Sequence, residues 1–179
     1  MQTDNRLVWV LAFLLLALLL SALANLYFIR LGRHFFREFS LTRLDPLGIA
    51  QIDTAEDARL AAAAEKRVVF VGDSRAAAWP APGALPGFVF INRGVNGHTA
   101  VQARQRFDQH VTPLQPNIVV IQVGINDLHS IAVLADEKAT IIRTCQESIQ
   151  ALVTQSRVAG ATVILTTIVP AQTPTLADR

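Results

Sequence analysis

The chain has 179 residues, a formal net charge of +2 and a single cysteine, which leaves room for one globular domain of ordinary size plus an appendage. The small charge, with no Lys/Arg run and little aromatic interleaving, excludes the electrostatic footprint of a nucleic-acid partner. With Cys145 alone, an intrachain disulfide and a cysteine-based zinc cluster are excluded too, and Cys145 is expected as a small core hydrophobe on a helix.

Residues 1–6 form a short flank. From Leu7 to Ile29 there is no charged residue. A run of about 23 residues can cross a hydrocarbon core roughly 30 Å thick. About 15 Leu, Ile, Val and Phe residues in that run favour insertion by roughly 5 to 9 kcal/mol, more than Ser21 and Asn25 can cancel. Residues 7–29 therefore read as an uncleaved transmembrane helix in contact with membrane lipid. Ala22-Leu23-Ala24 also fits the small-residue pattern of a cleaved leader, although the apolar run continues through Leu26 to Ile29 and the leading segment is hardly basic. Arg30, Arg33 and Arg37 after the span favour a cytoplasmic domain by the positive-inside rule, whereas signal-anchor insertion carries the domain to the opposite side.

Residues 30–66 read as a juxtamembrane linker. Arg side chains mixed with Phe35, Phe36 and Phe39 suit a headgroup-level segment, and Asp45-Pro46-Leu47-Gly48 breaks it with turn chemistry. Thr54 and Asp57 resemble a capping box ahead of the alanine-rich stretch at 58–66, where a short helix is expected.

Residues 67–179 carry the domain pattern. Arg67–Val71, Phe88–Asn92, Asn117–Val123 and Thr162–Val169 are continuous apolar runs, as expected for parallel strands covered on both faces. Ile141, Ile142, Cys145, Ile149, Leu152 and Val153 recur at helical spacing, and Gly160 stands where a helix-ending glycine belongs. Strand and helix alternation implies an α/β fold, a three-layer α/β/α sandwich on a parallel sheet with its working edge at the carboxyl ends of the strands.

Each strand end carries a polar, glycine-containing loop: Gly72-Asp73-Ser74 after the first, Asn92 to Thr99 after the second, and Gly124-Ile125-Asn126-Asp127 after the third. Any one of these is a weak signal. The three in order, each closing a predicted strand, resemble the blocks of the SGNH, or GDSL-like, hydrolase family over residues 67–170. The resemblance implies a flavodoxin-like sandwich and a serine esterase, lipase or carbohydrate acetylesterase acting on an ester or acylated small molecule, glycan or lipid, with no cofactor and no metal. It implies Ser74 as nucleophile, Gly97 as the second-block glycine and Asn126 as the third-block asparagine.

Acyl transfer needs an exposed hydroxyl on a sharp turn and donors aimed at the developing oxyanion. The backbone N–H groups of Ser74 and Gly97 and the side-chain amide of Asn126 would supply three. Asp73 and Asp127 suit loop organisation better than the role of catalytic acid. Arg75 departs from the family's usual Leu or Ile and either meets an anionic substrate group or faces solvent; with Trp79, Pro80, Pro82 and His129 it is a candidate pocket residue.

The base is the missing part, because a serine hydroxyl needs a proton acceptor. The family's fourth block, D-x-x-H, does not occur in this sequence, so the resemblance implies a domain incomplete at its C-terminus and little or no turnover. His34 lies beside the apolar span, and His110 ends a helix-like stretch as a surface or capping residue; His98 and His129 fall near the site by loop proximity and are substitute bases to be weighed. The rival function is a non-catalytic, membrane-anchored module that binds an acylated glycan or lipid. A nucleotide-binding domain fares worse, since no G-x-x-x-x-G-K-[ST] loop is present.

Overall fold

The computed structural model describes residues 5–62, 65–80, 82 and 85–168. The expected loop at 171–179 and Val169 of the fourth apolar run lie outside the described residues, as does part of the alanine-rich stretch at 63–64; the strand in that run ends at Leu165, ahead of residues 166–168. Two compact units are present, 1–44 and 45–179.

The first unit is one helix, α1 (Asn5–Leu44), with none of its side chains buried. Forty residues correspond to a rod of about 60 Å, longer than a bilayer core, so the helix continues through the Arg-bearing segment after the apolar run. Leu, Ala and Phe sustain it without a Gly-Pro break, and Asn25 and Ser40 satisfy their polar groups on carbonyls one turn back, Ser21 O at 2.9 Å and Phe36 O at 2.7 Å. Among the described helices, α1 is the one long and apolar enough to cross a membrane. It ends where the turn chemistry of Asp45-Pro46 was expected to end it.

The second unit contains, in chain order, α2 (Asp57–Ala61), β1 (Lys66–Gly72), α3 (Ser74–Ala77), β2 (Phe88–Gly94), α4 (Ala100–Gln105), α5 (Phe107–His110), β3 (Ile118–Gln122), α6 (Ile125–Ser130), α7 (Lys138–Val158) and β4 (Thr162–Leu165). The four strands pair in parallel in the order β2-β1-β3-β4, and the α/β reading of the sequence holds. After β1 the chain steps out to β2, then crosses back over β1 to β3. The gap between β1 and β3 is therefore the topological switch point at which ligands bind in open parallel sheets.

The alternation of β-branched residues assigns the two faces. Val69, Val71, Val119 and Ile121 point into a core closed by Ala100 and Ala103 of α4, Phe107 of α5, Leu114, and Cys145 and Leu152 of α7. Cys145 is buried there as expected, and Gly160, at φ 82°, ends the turn after α7. On the opposite face Val68, Phe70 and Val120 form a smaller cluster with Phe88, Phe90 and Ile118. Trp79 leans on it, its ring 5.1 Å from that of Phe70.

One local expectation fails. Thr54 and Asp57 form no capping box: the N-cap of α2 is Glu56, without a side-chain cap bond, and the Asp57 carboxylate pairs instead with Arg93 on the end of β2. The buried Arg93 guanidinium requires an anion, and Asp57 supplies it rather than capping the helix. The capping box that does form is Thr99 with Gln102 at the start of α4.

Candidate active site

The register fixes the geometry of the strand ends. Gly72 of β1 lies opposite Gly94 of β2 and Gln122 of β3, so the three polar loops leave the sheet from one row. The first is stitched to both neighbours. The Gly72 carbonyl accepts from Val95 N at 3.0 Å, and Asp73 N donates to Gln122 O at 3.2 Å.

Ser74 is the first residue of α3 and is exposed. Asp73 is its N-cap: buried, with its carboxylate accepting from Arg75 N at 2.9 Å. Burial raises the Asp73 carboxyl above its usual value, opposed by that hydrogen bond and by the charge of Arg75. The sequence expectation of a loop-organising Asp73 matches this cap. Gly97 is exposed at φ 77°, a conformation that glycine adopts without strain. Asn126, in the first turn of α6, donates its side-chain amide to the carbonyl of His98 at 2.9 Å, which ties the third loop to the second. Asp127 is buried and accepts from Ala100 N at 2.9 Å, a second tie between the same loops. Its carboxyl is raised by burial and held down by that bond.

The histidines divide sharply. His98 is 5% exposed, and its Nδ1 accepts from Arg106 Nε at 3.2 Å. Burial, then the Arg106 charge, lower it to about 4, so it is a neutral acceptor tied to an arginine rather than a base free to take the serine proton. His110 is a correction to the sequence reading: it is buried at the end of α5, not superficial, and its carbonyl receives Arg93 Nε at 3.1 Å inside the domain. His129 is exposed on α6, and His34 is exposed on α1. Among the described residues no histidine is hydrogen-bonded to Ser74, and no group of three His, Cys, Asp or Glu side chains is placed to hold a metal.

Arg106 is the residue that sequence reading missed. Fully buried, it donates Nε to His98 and Nη2 to the Gly72 carbonyl at 3.1 Å, joining the first and second loops from beneath. No carboxylate pairs with it among the described residues. Nothing in the sequence marks it, since an Arg at the end of a helical stretch reads as solvated surface.

A narrow crevice between the ends of β1 and β3 is lined by Asp73, Arg75, Val123, Ile125, Thr167 and Ile168. Trp79, expected beside it, lines the apolar groove on the sheet face instead, and Pro80, Pro82 and His129 are exposed.

A sequence profile of the GDSL-like lipase/acylhydrolase family matches residues 70–179. The chain belongs to that family. Solved structures similar to this family member include a GDSL-like lipase from Bacteroides thetaiotaomicron, at 27% identity over 65% of this chain and 58% of that one, with a TM-score of 0.46. Another is an acetylxylan esterase from Geobacillus stearothermophilus, at 21% identity over 56% of this chain and 58% of that one, with a TM-score of 0.48. The chain thus spans little more than half the length of either. No curated protein matches it.

Proposed function

We propose that this family member forms the nucleophile and oxyanion side of a serine acylhydrolase held at a membrane by α1. Ser74 Oγ attacks the carbonyl of an acyl ester, on a small molecule, glycan or lipid. The negative charge on the tetrahedral oxygen is met by the N–H groups of Ser74 and Gly97 and by Asn126, whose amide has a second N–H beyond the one given to His98. The alcohol leaves, and water releases the acyl group from Ser74. The observation that carries this reading is the exposed Ser74 at the start of α3, at the β1 end of the switch point, hydrogen-bonded through its loop to both neighbouring strands.

The base and its orienting acid are proposed to come from a D-x-x-H block outside these 179 residues. The absence of any His bonded to Ser74 among the described residues supports this, and also supports the second reading, a binding module for an acylated ligand. A fluorophosphonate probe separates them. The 179-residue chain is expected to hydrolyse nitrophenyl acetate no faster than its Ser74→Ala variant, while a longer chain supplying D-x-x-H labels at Ser74 and loses the label on Ser74→Ala. Ser74-dependent turnover by the 179-residue chain overturns the missing-base assignment. Failure of the longer chain to label leaves the binding module.

A further inference from the structure

The segment between α1 and α2 precedes the family match, yet it closes on the loop that bears Gly97. Three contacts do this. Pro46 O accepts from Gln102 Nε2 at 2.7 Å, and Gln102 is the partner of Thr99 in the capping box. Gly48, at φ 61°, lies so near that loop that a Cβ built on it would come within 2.7 Å of Val95 Cγ1 and 2.9 Å of His98 Nε2. Asp57 pairs with Arg93, the two side chains 13% and 7% exposed, and Arg93 in turn holds the His110 carbonyl.

The landing points, Arg93, Val95, His98 and Gln102, bracket Gly97 on both sides. His98 is gripped twice: its Nε2 edge abuts Gly48 and its Nδ1 receives Arg106. Its carbonyl holds the Asn126 amide. A displaced imidazole would therefore move two proposed oxyanion donors, Gly97 N and the Asn126 amide, at once. The segment is itself stiffened, because the Asp45 carboxylate accepts from Ile49 N at 2.8 Å and Ala50 N at 3.0 Å.

We propose that Asp45–Asp57 is a clasp that positions the Gly97–His98 loop against Asn126, with Gly48 as its closest-fitting positioning residue. Its role in catalysis rests on the oxyanion reading above; its mechanical role does not. Glycine is required at 48 on two counts, the left-handed backbone and the absence of space toward His98. A side chain there must push the ring, since the backbone on both sides is pinned.

The test is amide NMR of the isotopically labelled full chain in detergent micelles. In Gly48→Ala, the backbone amides of Gly97 and His98 and the side-chain amide of Asn126 are expected to shift beyond a linewidth, with the resonances of β1, β3 and α7 unmoved. Asp57→Asn keeps shape and releases the far end of the clasp. It is expected to give the same pattern, and it carries the test where Gly48→Ala folds poorly. Unmoved Gly97, His98 and Asn126 resonances overturn the proposal, as does a shift spread evenly over the domain, which would mark general destabilisation. Because the readout is geometric, a moved loop with unchanged turnover in a longer, active chain counts against the oxyanion roles and not against the clasp.

Discussion

His98 shows how burial converts a titratable side chain into a structural one. The folded chain holds its ring neutral down to about 4, against 6.5 for the free group. Between those values the unfolded chain binds a proton that the folded chain refuses, so this contribution is complete above 6.5 and is lost as pH falls toward 4. The loss amounts to about 3 kcal/mol at most. His110, also lowered by burial, acts with the same sign. Asp73 and Asp127, raised by burial, act oppositely: the folded state takes up their protons first, and acidification through their range restores some stability. The thermal midpoint is expected to fall between about pH 7 and about pH 4.5, with a shallower slope in His98→Gln; parallel slopes would remove His98 as the cause. Cys145 is a further buried titrating group, its thiol pushed up to about 11 by burial and by Asp127. Since the thiolate is the nucleophile, maleimide should leave native Cys145 unmodified at neutral pH and label it promptly in denaturant.

At the scale of elements, helix starts and ends are where sequence patterns proved least transferable. Thr54-x-x-Asp57 and Thr99-x-x-Gln102 look alike along the chain, yet only the second caps a helix. The difference lies in the competition for the acid: Asp57 is claimed by Arg93, a residue 36 positions away. Thr99→Ala is expected to cost about 1 kcal/mol, measured by urea unfolding. Leu152, fully buried on α7 against the sheet, is expected to cost about 2 to 5 kcal/mol when truncated to Ala. The periodic residues of α7 were readable because a long amphipathic helix repeats its signal over many turns. The short α3, α5 and α6 offered no such repeat, and their placement follows from the strands they join.

For the whole molecule, α1 is long and apolar enough to cross a membrane. The anchored reading expects the chain to stay with membranes through alkaline carbonate extraction at its full mass; release of a species shortened after Ala24 would instead identify a cleaved leader. Apolar run lengths, strand and helix alternation and the glycine-containing polar stretches were enough to read the membrane-competent helix, the four parallel strands and the three loops at strand ends, because each is a signal local to neighbouring residues. The buried ties beneath the site, Arg106 to Gly72 and His98, Asp57 to Arg93, and Gly48 against His98, were decided only by tertiary structure. In each, the polar or conformational requirement of one residue is met by another many positions away, a pairing that arises once strand order and register bring their elements together.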